Sequence, residues 1–484
     1  MYLGLDLGTS GVKALLIDDR QQVVASATGA LDVSRPHPGW SEQSPADWIE
    51  ATETAIRALK ASHPKELAAV AGIGLSGQMH GATLLGAGDE VLRPCILWND
   101  TRSHKQAAAL DADPRFRNIT GNIVFPGFTA PKLVWVKENE PELFDEVRKV
   151  LLPKDYLRLF LTGEHISDMS DSAGTSWLDT AKRAWSAELL AATDLGVEHM
   201  PALVEGTQAA GTLRGSVAAR WGMGGNVVVA GGAGDNAASA VGMGTVAEGR
   251  AFLSLGTSGV LFAANNAYRP DPETAVHTFC HALPATWHQM GVILSATDSL
   301  NWLAALTGKD AGALAAALGD RPAGPGKVQF LPYLSGERTP HNDAAIRGAF
   351  AGIGHEAGSK EMTQAVMEGV SFALADNLEA LRGAGTELQR VTAIGGGSRS
   401  RYWLKTIANT LGIAVDVLAD GDFGAAFGAA RLGLIAATGA DIMSVCTPPA
   451  TSETIEPDAG LTGSYQDAWR NWRKLYPAIK GATQ

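Results

Sequence analysis

The sequence has few cysteines, no basic segment and no long apolar run, and each shortage argues against a class of protein. The three cysteines, Cys95, Cys280 and Cys446, lie far apart without CxxC spacing. They therefore predict neither a disulfide framework nor a zinc site, and they suit a reducing compartment. A net charge of −12 without clustered Lys and Arg argues against a nucleic-acid partner. No apolar run approaches the ~20 residues that a membrane helix needs.

The N-terminus, the chain length and the glycine content each add an expectation. The N-terminus shows neither a charged n-region nor a cleavable apolar stretch, so we expect a soluble, cytoplasmic protein without a membrane partner. A length of 484 residues exceeds the ~250–300 residues of a single core and predicts two domains. The 56 glycines indicate tight turns and close approach of the backbone to a ligand.

A six-residue string, LGTSGV, occurs twice, at residues 7–12 and 255–260. Each copy follows a short apolar strand candidate, Tyr2–Leu7 or Ala251–Leu255, and precedes another apolar run. This order predicts a β-hairpin with a Gly/Ser/Thr turn. Because the match recurs at the same position in two halves, the sequence predicts a duplicated domain, with residues 1–245 in the first unit and 246–484 in the second.

Strand candidates alternate with helical patterns in both halves, which predicts an α/β fold. Polar or glycine-rich strings follow several of these strands, and open α/β sheets bind ligands at the carboxyl ends of their strands. The strings are SGQMHG at residues 76–81, ND at 99–100, GGAGDN at 231–236 and GGGS at 395–398.

The first hairpin carries an acid before its turn, Asp6, and a cation after it, Lys13. Small turn residues let N–H groups and hydroxyls point at one anion, and a carboxylate beside phosphates normally serves Mg²⁺. A plain hairpin with a glycine-rich turn is the alternative, which the second copy disfavours. Ser254 stands where the first copy has Asp6, so only the first half is expected to supply a metal carboxylate.

Asp235 lies in a glycine-rich loop directly after a strand candidate. This position suits a general base that removes a proton from a hydroxyl, and an N-cap for the following helix is the alternative role. The string from Gly232 to Ala237 also fits G-x-G-x-x-A, which would suggest a nicotinamide-dependent oxidoreductase. That fold needs an acid at the end of the next strand, and residues 254–256 contain none.

Two further strings combine polar groups with an aromatic ring. Met79 and His80 lie in the first, and Trp98 begins the second. Together they suit the wall of a small, polar ligand pocket. A single histidine is more often structural, and Trp98 suits a core position equally well.

In this order the motifs resemble the FGGY carbohydrate kinases of the actin-like ATPase superfamily. The resemblance covers nearly the whole chain and includes GFTAPKLVWVKENEP at 127–141, YLSGERTPH at 333–341 and MEGVSFALADNL at 367–378. It implies two ribonuclease H-like domains around a central cleft, with ATP and Mg²⁺ as cofactors and a small sugar as the partner. Family members are often dimers or tetramers, so a homodimer is implied, although no segment identifies an interface.

Four strings resemble the family members that phosphorylate the ketose D-xylulose. A glycerol substrate is disfavoured because glycerol kinases carry an Arg-Glu pair where this chain has Met79-His80. Ribulose, fuculose, gluconate and ribitol are alternative substrates, and a non-catalytic sugar sensor on the same fold is an alternative of another class. The four strings are SRPHPGWSEQ at 34–43, SGQMHGATLL at 76–85, LWNDTR at 97–102 and SDMSDSAGTSWLD at 167–179.

The resemblance also implies a role for each matching residue. Asp235 is the general base and holds the ketose with Asn236, while Asp6 organises Mg²⁺ and counts as the second catalytic residue. Met79, His80 and Trp98 line the sugar pocket. The expected ATP contacts are Gly8, Thr9, Ser10 and Lys13 on one side of the phosphates, Gly256, Thr257 and Ser258 on the other, and Gly396, Gly397 and Ser400 beside the adenosine; Arg401 has no assigned contact.

Overall fold

The computed structural model describes residues 1–419, 421 and 423–483 of the chain. The first half of the chain forms strands β1 (Tyr2–Leu7), β2 (Gly11–Ile17), β3 (Val23–Ala30), β4 (Glu42–Gln43), β5 (Gly72–Gly77), β6 (Thr83–Leu85), β7 (Cys95–Ile96), β8 (Lys149–Leu151), β9 (Ile166–Asp168), β10 (Leu178–Asp179), β11 (Ala184–Trp185), β12 (Ala202–Val204), β13 (Ala209–Thr212), β14 (Val228–Ala230) and β15 (Ala233–Gly234). Its helices are α1 (Pro45–Ser62), α2 (Pro64–Ala68), α3 (His104–Asp111), α4 (Pro114–Thr120), α5 (Thr129–Asn139), α6 (Pro141–Glu146), α7 (Pro153–Thr162), α8 (Met169–Ser172), α9 (Ala187–Ala191), α10 (Gly215–Trp221) and α11 (Asp235–Gly242).

The second half of the chain begins with the second copy of the repeat. Its strands are β16 (Ala251–Leu255), β17 (Gly259–Asn265), β18 (His277–Cys280), β19 (Trp287–Ile293), β20 (Gln329–Leu331), β21 (Ala349–Ala351), β22 (Arg390–Ile394), β23 (Ala414–Leu418) and β24 (Thr451–Ile455). Its helices are α12 (Thr297–Thr307), α13 (Ala311–Ala316), α14 (Ser359–Gly383), α15 (Arg401–Leu411), α16 (Ala425–Thr438), α17 (Ile442–Val445), α18 (Thr462–Trp472) and α19 (Leu475–Thr483).

Two mixed sheets organise the described residues, each with seven strands, and their topologies correspond. The first has the order β13-β14-β5-β1-β2-β3 with β15 added to β5, and the second has the order β18-β19-β17-β16-β22-β23-β24. In each sheet an antiparallel hairpin borders a parallel strand, since β1 pairs with β5 and β16 pairs with β22. The predicted α/β fold with two related units is confirmed.

Both copies of LGTSGV form the turn of a hairpin. In the first, Leu7 pairs with Val12, so residues 8–11 close the turn between β1 and β2. In the second, Leu255 pairs with Gly259 between β16 and β17. Leu7 and Leu255 are both fully buried, so each turn is fixed to the sheet core by the strand that precedes it.

Helices α11 and α16 pack on each other and link the two sheets. A methyl group on Gly74 of β5 would lie 1.8 Å from the carbonyl oxygen of Ala429 in α16, so α16 lies directly against the first sheet although it connects β23 and β24 of the second. Ala240 of α11 packs in one buried cluster with Phe252 and Phe262 of the second sheet. Each helix therefore contacts the sheet of the other half.

Among the residues that the structure describes, no helix combines the length and apolar character needed to cross a membrane.

Candidate active site

The carboxyl end of β5 brings Asp6 and Asp235 into one region. Asp6 on β1 is in register with Ser76 on β5, and Ser76 is in register with Ala233 on β15. The Ser76 hydroxyl donates a hydrogen bond to Asp6 Oδ1 over 2.9 Å. Asp235 begins α11 two residues after Ala233, so the two acids lie on either side of β5.

Asp235 has the electrostatic environment of a general base. Burial raises its pKa to about 6, and the negative charge of Asp6 adds to this effect. The backbone N–H and the side-chain amide of Asn236 donate to Asp235 Oδ1 at 2.7 and 3.0 Å, which opposes the rise. Gly234 occupies the N-cap position of α11, so the structure does not support the N-cap alternative for Asp235. A carboxylate with a pKa close to neutral pH suits proton transfer.

His80 is held in one orientation beside the loop that carries Asp235. Its Nδ1 lies 2.8 Å from the carbonyl oxygen of Gly174, and its ring stacks on Phe128 with the centroids 4.5 Å apart. Burial, with the positive charges of Lys132 and Arg338, lowers its pKa to about 3. The ring is therefore neutral, and Nδ1–H donates to Gly174 so that Nε2 is left as an acceptor.

Met79 packs against the same loop. A methyl group on Gly234 would lie 2.9 Å from Met79 Cγ, so the thioether side chain borders the residue that precedes Asp235. Met79, His80, Asp235 and Asn236, which the sequence predicted as sugar ligands, therefore lie around one loop.

Trp98 is not a core residue, because 48% of its surface is exposed. Its indole N–H donates to the hydroxyl of Thr9 over 3.0 Å, and that hydroxyl donates to Gln78 Oε1 over 2.9 Å. The side-chain amide of Gln43 donates to the backbone oxygen of Thr9 over 2.7 Å. These bonds join Trp98 and the SGQMHG string to the first hairpin turn, and Gln43 was not among the residues predicted from the sequence.

The other members of the first hairpin have different environments. The Gly8 N–H closes the turn by donating to the Gly11 carbonyl over 3.0 Å, so this N–H is occupied within the turn. Ser10 is exposed at the tip. Lys13 pairs in register with Asp6 across the two strands, which places both side chains on the same face of the sheet.

The second hairpin turn is attached to the start of α12. The Gly256 carbonyl accepts from the backbone N–H and the hydroxyl of Thr297, at 2.9 and 2.7 Å. Thr257 and Ser258 are exposed. A methyl group on Gly395 would lie 2.7 Å from the carbonyl oxygen of Leu255, so the GGGS turn lies directly beside this hairpin.

A cavity of about 580 Å³ opens beside the GGGS turn. It is lined by Gly396, Gly397 and Ser400, the three residues predicted to lie by the adenosine, and by Arg401. The Ser400 hydroxyl accepts from the Trp403 N–H and caps α15, and Arg401 forms an ion pair with Glu453. Sequence reasoning missed the opposite wall, because α12 and α13 carry no motif; it is formed by Thr297, Leu300, Asn301, Ala311, Gly312, Ala315, Ala316, Gly319 and Asp320.

No group of three or more His, Cys, Asp or Glu side chains among the described residues could hold a metal ion by itself. Asp6 offers one carboxylate beside a turn, and its charge acts on Asp235. A single carboxylate agrees with the chemistry of Mg²⁺, which keeps several waters and is completed by phosphate oxygens of a substrate.

Comparisons with known proteins identify the relatives of this fold. The models of the N-terminal and C-terminal domains of the FGGY family of carbohydrate kinases match residues 1–242 and 251–437. The chain is 52% identical over 482 residues to the xylulose kinase of Escherichia coli strain K12, covering 99% of each protein. It is 67% identical to a xyloylose kinase from Brucella ovis of known crystal structure, with a TM-score of 0.99 and 99% coverage of both chains. The xylulose kinase structure from Rhodospirillum rubrum is 30% identical with a TM-score of 0.93, covering 100% of this chain and 99% of that one.

Proposed function

The chain belongs to the FGGY family of carbohydrate kinases, and on that basis we propose that it transfers the γ-phosphoryl group of ATP to D-xylulose. The predicted family and phosphotransferase class are confirmed, and the predicted ketose is confirmed by relatives that match over the full chain and are named xylulose kinases. The product is D-xylulose 5-phosphate, which requires the sugar's terminal hydroxyl to be the attacking group.

The observation that carries the mechanism is the pair of carboxylates at the end of β5. Asp235, with a pKa of about 6, is ionised at neutral pH and accepts the proton of the attacking hydroxyl. Because the transition state of phosphoryl transfer is loose and its charge is spread over several oxygens, positioning and electrostatics supply most of the catalysis. A neutral His80 with a free Nε2 accepts a hydrogen bond from a sugar hydroxyl, and Met79 and Trp98 bound the pocket.

ATP is the phosphoryl donor of the family, and we assign its contacts as the sequence predicted them. The cavity beside Gly396, Gly397 and Ser400 takes the adenosine, and the exposed turn residues Ser10, Thr257 and Ser258 meet the phosphates, with Gly8, Thr9, Lys13 and Gly256 beside them. Asp6, together with waters and phosphate oxygens, would hold Mg²⁺, which when bound neutralises charge on the transferring phosphate.

The division into residues 1–245 and 246–484 also belongs to this proposal. It is supported by the separation of the two sheets along the chain, since β15 ends at Gly234 and β16 begins at Ala251. Helix α16 departs from this division, because it lies in the second unit along the chain but packs against the first sheet. Closure of the two halves over the substrates would exclude water, a competing acceptor. A homodimer stays a prediction from the resemblance.

A coupled ADP-release assay tests the function. The panel is D-xylulose, ribulose, fuculose, gluconate and ribitol, each with and without Mg²⁺. We expect the highest kcat/KM for D-xylulose, and a larger value for any other sugar would contradict the substrate. Calorimetric binding of D-xylulose without ADP release would instead identify a sugar sensor.

A further inference from the structure

Five charged side chains form a wholly buried cluster beneath the loop that carries Asp235. Lys154 Nζ lies 2.6 Å from Asp155, 2.7 Å from Asp168 and 3.0 Å from Asp171, and Arg158 lies 2.5 Å from Asp155. All five side chains are 0% exposed. Because removing charges from water is costly, such a cluster is weak evidence for stability and calls for another explanation.

The cluster contacts the loop at two points. The Ser170 hydroxyl accepts a hydrogen bond from the Gly234 N–H over 3.1 Å and donates to Asp168 Oδ2 over 2.5 Å. The Arg158 guanidinium donates to the carbonyl oxygen of Gly231. Gly231 and Gly234 are the first and fourth residues of the string that ends in Asp235-Asn236, so the cluster holds the loop at both ends.

Ser170 is itself fixed from below. Asp168 accepts from the Ser170 hydroxyl with one oxygen and binds Lys154 with the other. The acceptor of the Gly234 N–H is therefore connected through Asp168 to a lysine that three carboxylates surround. Burial, with the neighbouring charges of Asp155 and Asp168, raises the pKa of Asp171 well above its usual value.

We propose that Ser170, held by Asp168 and Lys154, is a positioning residue that fixes the carboxylate of Asp235 in line with the sugar hydroxyl. This inference rests on the proposed role of Asp235 as the general base. The physical reason is that the Ala233–Gly234 peptide bound by Ser170 lies one residue before Asp235, and a small displacement of a reacting group lowers the rate steeply. Because the five cluster side chains are 0% exposed, they act on the reaction through the loop.

The test compares Ser170→Ala with Ser172→Ala. Ser172 lies on the same helix, is also 0% exposed, and donates to Ser167 over 2.8 Å, so each change removes one buried hydroxyl. We expect Ser170→Ala to lower kcat for D-xylulose about 10- to 100-fold, while Ser172→Ala leaves kcat unchanged at a similar loss of melting temperature. Ser170→Thr keeps the hydroxyl and should restore most of kcat.

A double-mutant cycle separates positioning from general weakening of the fold. If Ser170 acts through Asp235, the Ser170→Ala change should have little further effect on kcat in an Asp235→Asn background. Additive losses, or equal kcat values in Ser170→Ala and Ser172→Ala, would overturn the positioning role. Full turnover in Asp235→Asn alone would instead overturn the base assignment, so the two failures are distinguishable.

Discussion

Asp6 and Asp235 lie on either side of β5, and the charge of Asp6 adds to the larger effect of burial in raising the pKa of Asp235 to about 6. Two acids placed so close together repel each other, and a protein keeps such a pair where function requires it. In the proposed mechanism each acid has a separate role, since Asp235 accepts the proton and Asp6 helps to hold Mg²⁺.

The first prediction concerns Asp235→Asn. Loss of the base should lower kcat about 10²- to 10⁴-fold, and in the parent enzyme kcat should fall as the pH drops below about 6 because Asp235 becomes protonated. The pH profile of kcat, measured by ADP release, checks both. Near-normal turnover in Asp235→Asn would contradict the assignment.

The same variant has a second expected outcome, in stability. Because the folded pKa of Asp235 is raised from 3.8 to about 6, its protonation stabilises the fold fully below pH 3.8, and this contribution is lost as the pH rises through 6. The neutral amide of Asn avoids this loss. Asp235→Asn should therefore melt at a higher temperature than the parent at pH 8, and the difference should disappear near pH 4.

The second prediction concerns Asp6→Asn, with Ser254→Ala as its control, because Ser254 occupies the equivalent position before the second turn. Removing the carboxylate should raise the Mg²⁺ concentration for half-maximal rate. It should also move the acid limb of the kcat profile to lower pH, since the charge of Asp6 raises the pKa of Asp235. An unchanged Mg²⁺ titration would argue against a metal role for Asp6.

The third prediction concerns His80→Asn. His80 has a φ of 70°, a left-handed conformation that asparagine tolerates better than most residues, so the change tests the ring and spares the backbone. We expect the KM for D-xylulose to rise and the KM for ATP to stay constant, because the ring lies by Met79 and Phe128. Equal effects on both KM values would indicate a structural role, and His104→Asn on the exposed start of α3 is the control.

The fourth prediction separates the two functions of Trp98. Trp98→Phe keeps an aromatic wall but removes the hydrogen bond to Thr9, and should lower kcat about 2- to 10-fold, the net worth of one hydrogen bond. The KM for D-xylulose should change little in this variant and should rise in Trp98→Ala. If Trp98→Phe raised KM and left kcat intact, the bond to Thr9 would have no part in catalysis.

The fifth prediction concerns the contact between α11 and α16. A methyl group on Gly428 would lie 1.8 Å from the carbonyl oxygen of Ala238, so Gly428→Ala must push the helices apart at a cost of about 1–3 kcal/mol. Thermal melting should show a clear loss of stability. Gly463→Ala in α18 has no atom within 4 Å of the new methyl group and should not lower the melting temperature.

Several parts of the fold were predictable because they depend on neighbouring residues in the chain. The two hairpins follow from apolar strands around a Gly/Ser/Thr turn, and β1 and β16 begin and end where the sequence predicted. The site strings were predictable for a related reason: the carboxyl ends of parallel strands meet at one edge of a sheet. Asp235 lies at that edge, as the sequence predicted. That Gly234 and not Asp235 is the N-cap of α11 could not be read from the sequence.

The amino-acid sequence by itself determined the family, the two hairpins and the position of the acids along the strands, because each of these is written in short, contiguous strings. Only the tertiary structure decided that Gln43 supports the Thr9 turn, that Asn301 and Asp320 line the cavity beside the GGGS turn, that α16 packs against the first sheet, and that Lys154 lies beneath the loop that carries Asp235. These contacts join residues far apart in the chain, and their pairing is fixed by how sheets and helices pack, which no local pattern encodes.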